Sequence, residues 1–292
     1  MRINITEESL LSELLLRKFT TGTRSGIKKI ILHGSVRVNG KTVVRPDHLL
    51  KPGDIVEYIK FKAPAATSGC PFPVLYEDDD LIAVVKPAGK LTYGEKGSTG
   101  TSVYMELTAY LRNRSKKSEH IYVVHRLDRE VSGILLFAKS EKVQQLIKEH
   151  WNETVKRYIA LVEGQPENDS GTLTNWLVEG QDQKVFLVRK EQQNAKLAIT
   201  HYKIIRHLKD HTLLEIELGT GRKHQIRVQL AGIGCPVAGD FKYGAHDTVR
   251  RRIRLHAFFF SFNHPVTGKM LEFETQTPKG FLTLGEKEEN YK

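Results

Sequence analysis

Cysteine is nearly absent: the 292 residues contain 2, Cys70 and Cys235. That excludes a disulfide framework and a cysteine-built zinc site, and it fits a reducing compartment, so a cytoplasmic location is expected. Long hydrophobic runs are missing too, and no membrane association is expected. Leu255 to Phe262 is short and is broken by His256 and Ser261, well under the length of a bilayer span. The opening Met1-Arg2-Ile3-Asn4-Ile5-Thr6-Glu7-Glu8 holds early acids and no apolar signal core. The 12 histidines are scattered without paired ligand spacing, and no metal site is expected. Acids are the minority charge, 34 Asp plus Glu against 45 Lys plus Arg, a formal net charge of +11. Such an excess suits a polyanionic partner, most economically nucleic acid. An anionic membrane is disfavoured because no long basic amphipathic helix with an aromatic face is present.

Two domains are expected, residues 1–60 and 74–285, joined by a linker at 61–73 and followed by a polar tail at 286–292. The linker contains Ala63-Pro64-Ala65-Ala66-Thr67-Ser68-Gly69-Cys70-Pro71, without periodicity. No internal repeat is evident. In the first domain, Leu10, Leu11, Leu14 and Leu15 recur at helical spacing after Thr6, a candidate N-cap. A second helix is expected over Ser25 to His33, with Ile27, Ile30 and Ile31 inward and Gly34 ending it. Val36-Arg37-Val38 and Thr42-Val43-Val44 read as a hairpin around Asn39-Gly40, which tolerates the positive backbone angles of a two-residue turn. Lys51-Pro52-Gly53-Asp54 then turns into a strand over Ile55 to Ile59. This order resembles the alpha-L RNA-binding module first known from a small-subunit ribosomal protein. The expected RNA face is Arg24, Lys28 and Lys29 on the helix, with Arg37 and Lys41 on the hairpin; a plain solvated helix face is the alternative.

The second domain is dominated by strand-like runs at Leu81 to Val85, Tyr122 to Val124, Ile134 to Phe137, Tyr158 to Val162 and Leu213 to Leu218. Helices are expected near Thr101 to Arg112 and Ser140 to Trp151. No glycine-rich phosphate loop follows the first strand, which disfavours a dinucleotide fold. Mixed α+β with an extended sheet is the fold class expected. Its most informative stretch is His125-Arg126-Leu127-Asp128-Arg129-Glu130-Val131-Ser132-Gly133, a polar loop between two apolar runs. Loops on rigid scaffolds are where chemistry concentrates. Arginines on both sides of Asp128 stabilise the charged carboxylate, which suits a nucleophile or base; an ordinary surface turn with paired charges is the alternative.

The stretch resembles the motif of RluA-family pseudouridine synthases, His-Arg-Leu-Asp, three variable positions, then Ser-Gly. The position before Ser132 is often Thr in the family and is Val131 here. Further segments match in order: Leu75 to Gly89, Lys156-Arg157-Tyr158-Ile159-Ala160-Leu161-Val162, Leu218 to Arg227, Asp240-Phe241-Lys242-Tyr243-Gly244 and Leu255-His256-Ala257. Read alone, Lys86-Pro87 marks a strand end, Tyr158 a core aromatic, and Gly219-Thr220-Gly221 either a hairpin turn or a close approach to phosphate. The resemblance implies a pseudouridine synthase fold, a mixed, mainly antiparallel sheet flanked by helices. It implies isomerisation of uridine in RNA without metal or organic cofactor. Asp128 is then the essential acid, Tyr158 stacks on the base, Arg227 pairs with the acid, and Arg126 fills the gap left by an extruded uridine. His125, Leu127, Arg222, His224 and Gln225 complete the expected substrate-binding set.

Large-subunit ribosomal RNA is the expected substrate and transfer RNA the alternative; a monomer is expected. A non-catalytic ribosome-assembly factor is the rival from another class. A two-carboxylate hydrolase is a third reading, for which Glu130 is the only acid near Asp128 in sequence.

Overall fold

Apolar runs such as Ile134-Leu135-Leu136-Phe137 lack polar alternation because both faces of their strand are covered. The computed structural model describes residues 2–19, 24–32, 36–43, 45–58, 69–94, 101–115, 120–180, 182–189, 193–246 and 252–282. Residues 61–68 of the expected linker, Gly34, Val44, Ile59 and the tail 286–292 lie outside these, as do the side chains of Lys29 and Lys41. The chain divides into two compact units, residues 1–64 and 65–292.

The first unit contains β1 (Arg2–Asn4), β2 (Ser9–Leu10), α1 (Leu11–Lys18), α2 (Arg24–Leu32), β3 (Val36–Val38), β4 (Lys41–Thr42), β5 (Leu49–Leu50) and β6 (Ile55–Tyr58). A four-stranded sheet runs β1-β6-β3-β4, and β2 pairs with β5. Leu11, Leu15, Ile27, Ile31, Val36, Val38, Leu50 and Val56 form its core. The expected Asn39-Gly40 turn is present, with φ of 52° and 77°. Thr6 does not cap α1. That helix starts at Leu11, and its first amides donate instead to the backbone carbonyls of His48 (2.9 Å) and Pro46 (3.0 Å). A neighbouring loop therefore satisfies the donors that a side-chain cap would have taken.

The second unit contains β7 (Val74–Glu77), β8 (Leu81–Lys86), α3 (Val103–Ser115), β9 (Tyr122–Val123), β10 (Ser132–Ala138), α4 (Glu141–Glu149), β11 (Val155–Glu163), β12 (Ser170–Glu179), β13 (Val185–Val188), β14 (Lys196–His207), β15 (His211–Leu218), α5 (Gln225–Gly232), β16 (Leu255–Asn263) and β17 (Met270–Glu274). Its 11-stranded sheet runs β13-β12-β14-β15-β11-β16-β10-β8-β7, with β17 on β16 and β9 on β10. All pairs are antiparallel except β10 with β16. Alternate residues of β8 and β10 feed two cores. Ile82, Val84, Leu135 and Phe137 join α3 and α5 on one face; Leu81, Ala83, Ile134 and Leu136 join Val143 and Ile147 of α4 on the other. The expected α+β fold is therefore present, with helices on both faces of a mixed, mainly antiparallel sheet.

The parallel pairing of β10 with β16 spans only Ser132↔His256 and Gly133↔Ala257. Beyond it β9 continues along β10, and β17 along β16. The sheet forks there, directly after the Asp128 loop. Gly133 is required at the fork: its φ is +128°, and a Cβ would lie 2.2 Å from the Ala257 carbonyl oxygen. Gly133→Ala is expected to cost about 3 kcal/mol or more, from backbone strain and overpacking. Urea unfolding checks this; unchanged stability would mean that the fork tolerates a side chain.

Candidate active site

A loop carrying a catalytic group must be pinned, since its own backbone has no ladder. The Asp128 loop is pinned on both sides of the acid. On one side, Thr92 Oγ1 donates to the Leu127 carbonyl (2.9 Å) and accepts from the Leu127 amide (3.1 Å). On the other, Lys86 Nζ donates to the carbonyls of Arg129 (2.9 Å), Pro87 (2.9 Å) and Lys90 (2.6 Å). Lys86 is fully buried. Burial draws its ammonium down to about 8, opposed by Glu130 and Asp128. The Lys86-Pro87 pair is thus more than a strand end: it clamps the loop. Val131, the departure from the family pattern, is buried in the core beside Leu127, where an apolar side chain fits. Ser132 Oγ shares a 2.8 Å hydrogen bond with His256 Nδ1 across the fork.

The counter-charge on Asp128 does not come from Arg129. Arg129 donates to the Gly89 carbonyl (3.2 Å) and faces Glu130 at 3.7 Å, and Arg126 is exposed. Arg227 supplies it instead. Its Nη1 donates to Asp128 Oδ2 at 2.9 Å, while Nε and Nη2 donate to Asp240 Oδ2 (2.6 Å) and Oδ1 (2.8 Å). The bidentate pairing fixes the guanidinium plane. Asp240 is 1 % exposed and Arg227 7 %, whereas Asp128 keeps 20 %. Asp128 Oδ1 has no protein partner among the described residues. The arrangement holds one oxygen of a pit-lining carboxylate and leaves the other without a protein partner among the described residues.

That pit is lined by Arg126, Leu127, Asp128, Tyr158, Leu218, Arg222, His224, Ile226 and Arg227, among others. Tyr158 lies on β11, where the pairing with β16 shifts register and skips Phe258; bulges of this kind re-aim side chains beside active sites. Burial, reinforced by Asp128, pushes the Tyr158 phenol well above its ordinary range. His224 precedes α5 in the left-handed conformation, φ 52°, a strained state for a non-glycine residue. Its Nδ1 lies 2.7 Å from the Tyr243 hydroxyl and its Nε2 3.7 Å from Asp128 Oδ2. Burial draws the His224 imidazole below its ordinary range, with Asp128 opposing.

Gln225 sits at the pit but has no polar atom to spare. Its Oε1 accepts from Thr220 Oγ1 and the Arg222 amide; its Nε2 donates to the Ile199 carbonyl and Thr200 Oγ1. It shapes the Gly219–Arg222 turn, which leads into helix α5 rather than into the second strand of a hairpin. His125 likewise spends Nε2 on the Leu136 amide (3.1 Å) and stacks on Phe260. Burial lowers it to about 3. In the first unit, Arg24 and Lys28 are exposed one turn apart on α2. Arg37 is half-buried and stands opposite Glu57 on β6. No helix among the described residues is long and apolar enough to cross a membrane.

The structure also assembles Asp78, Asp80 and His264, whose ligand-type atoms lie within 4.8 Å of one another. His264 Nδ1 accepts from the Val266 and Thr267 amides, so Nε2 carries the proton that faces Asp78 Oδ2 at 3.0 Å. The cluster is held together by its own hydrogen bonds.

The family model described as RNA pseudouridylate synthase matches residues 80–232, which span Lys86, Asp128, Tyr158 and Arg227. The chain belongs to the RNA pseudouridylate synthase family. The S4 domain model matches residues 11–56, so the enzyme carries an S4 RNA-binding domain ahead of its synthase domain. An uncharacterized RNA pseudouridine synthase of Aquifex aeolicus is 32 % identical over 95 % of this chain and 93 % of its own. Ribosomal large subunit pseudouridine synthase D of Vibrio cholerae is 30 % identical over 94 % and 89 %. Synthase C of Rickettsia bellii is 30 % identical over 96 % and 98 %. Among solved structures, human RNA pseudouridylate synthase domain containing 4 shares the fold, with a TM-score of 0.60 at 24 % identity over 71 % of this chain and 89 % of that one. The RluA-type resemblance and its fold are borne out.

Proposed function

We propose that this enzyme, as a cytoplasmic monomer, isomerises particular uridines in large-subunit ribosomal RNA, with Asp128 as the essential carboxylate. The observation that carries the reading is Asp128 on the wall of the pit, its Oδ2 held by Arg227 and its Oδ1 without a protein partner among the described residues. The two relatives named as ribosomal large subunit synthases supply the substrate class.

The chemistry follows from what each side chain can do. Extruding a uridine from its stack costs a few kcal/mol, and in this reading Arg126 of the pit fills the gap. Uracil lies against Tyr158, which stays protonated and serves as an aromatic face. Asp128 Oδ1 either attacks the anomeric carbon or removes a neighbouring ribose proton. The N1–C1′ bond breaks, uracil turns, and a C5–C1′ bond forms; C5 loses its proton and N1 gains one. The net change transfers no electrons to an acceptor, so the reading includes neither metal nor organic cofactor. A two-carboxylate hydrolysis finds no second acid lining the pit among the described residues, and both oxygens of the nearby Asp240 are bound by Arg227.

The test is incubation of the purified protein with large-subunit ribosomal RNA and, separately, transfer RNA, followed by carbodiimide-dependent reverse-transcription stops. New stops in ribosomal RNA are expected. Stops confined to transfer RNA would redirect the substrate assignment, and release of free uracil would contradict an isomerase. For the S4 domain, Arg24→Gln with Lys28→Gln is expected to weaken binding at low salt. It should also lower the slope of log affinity against log salt by roughly one for each phosphate that is no longer neutralised. An unchanged slope removes both residues from the interface.

A further inference from the structure

Lys156 is a buried cation that the isomerisation itself leaves without a task. It precedes Tyr158 by two residues on β11, so the two side chains share a face about 7 Å apart. It is 7 % exposed, yet no carboxylate among the described residues pairs with it. Its ammonium lies 4.8 Å from the Trp151 ring and 3.5 Å from the Trp151 carbonyl, too long for a strong hydrogen bond. Buried charges are ordinarily paired, since desolvation is expensive. Burial draws this one down to about 8. Trp151 is half-buried and packs near the rings of His125 (5.5 Å) and Phe260 (5.8 Å). Lys156 and Trp151 both line a groove of about 400 Å³ that begins at Asp128. Its other cations are Arg126, Lys148, Arg222 and Lys223, and Asp128 is its one acid among the described residues.

We propose that Trp151 and Lys156 form a subsite for the nucleotide next to the target uridine, the indole stacking on its base and the ammonium taking its phosphate. This rests on the pit at Asp128 being the uridine site. The spacing to Tyr158 suits a neighbouring nucleotide on the same strand. Base stacking on an indole is tolerant of sequence, so the subsite sets strand position and leaves base identity to other contacts. An RNA phosphate supplies the charge-assisted partner that Lys156 lacks among the described residues.

The chain has 2 Trp residues, so Trp176→Phe leaves Trp151 as the indole reporter. Titration of that protein with pentauridylate at low salt is expected to quench its fluorescence saturably. Adding Lys156→Met is expected to raise Kd roughly ten-fold, with Lys156→Arg close to the parent. Methylphosphonate substitution, one linkage at a time, is expected to weaken binding to the parent roughly ten-fold at one linkage and to add nothing to the Lys156→Met defect there. This scan keeps the test decisive if Lys156→Met folds poorly. Absence of quenching, or no linkage at which neutralisation weakens the parent, overturns the subsite. With ribosomal RNA as substrate, Lys156→Met is expected to raise KM while largely preserving kcat, which separates positioning from structural damage. Quenching needs no isomerisation. A protein that shows the quenching pattern but forms no pseudouridine in ribosomal RNA would retire the substrate reading and keep the subsite.

Discussion

Asp128→Asn protein is expected to bind ribosomal RNA as the parent does and to form pseudouridine at least about 1000-fold more slowly in single-turnover assays. The substitution keeps the shape of the side chain. The amide oxygen still accepts from Arg227 Nη1, and Asp240 continues to hold the guanidinium from behind. The pit therefore stays intact. What disappears is the carboxylate on its wall, and in the proposed mechanism neither route to glycosidic cleavage proceeds without it. Asp128 retains 20 % exposure, so its replacement is expected to leave folding nearly unchanged. Thermal unfolding beside the activity assay makes the distinction. Activity comparable to the parent would remove Asp128 from the chemistry.

Arg227→Met is expected to fail on two counts, stability and turnover. Removing the guanidinium strands Asp240, 1 % exposed, as a buried anion without its partner. Breaking a buried pair in this way costs about 3–5 kcal/mol, a fall in Tm of about 10 °C for a chain of this size. It also takes away the donor that aims Asp128. Adding Asp240→Asn to Arg227→Met separates the two effects. The double variant is expected to regain part of the lost stability, because the buried charge is gone, and none of the lost activity, because Asp128 still lacks its partner. Recovery of turnover in the double variant would reduce Arg227 to a folding role.

Local chemistry made part of this site legible in the sequence. His125 to Gly133 stands out as a polar stretch between two apolar runs, and that contrast survives in the fold as the loop between β9 and β10. The carboxylate's partner was not legible locally. Arg126 and Arg129 adjoin Asp128 in sequence, but backbone geometry sends Arg129 to Gly89 and Glu130. The guanidinium arrives from α5, 99 residues away. No periodicity encodes that distance, and only the motif resemblance pointed to Arg227. Asp240 and Lys86 were visible as motif letters without a role. A lysine ending an otherwise apolar strand is a signal of burial, and its three carbonyl partners come from two loops that only the tertiary fold brings together. The α1 cap failed for a similar reason: backbone carbonyls at 46–48 took the place of the Thr6 side chain. Glycine at 133 could be read as motif, but its cause, the approach of Ala257, belongs to the fork between β10 and β16.

The central claim is that the carboxylate of residue 128 faces the sugar of an extruded uridine. A crystal structure of the Asp128→Asn protein bound to its ribosomal RNA segment tests this most directly. The account predicts a flipped nucleotide with uracil against Tyr158, Arg126 in the vacated stack, and the anomeric carbon within about 3.5 Å of the substituted side chain. A uridine left stacked in the RNA, or one bound with its sugar turned away from residue 128, would contradict it.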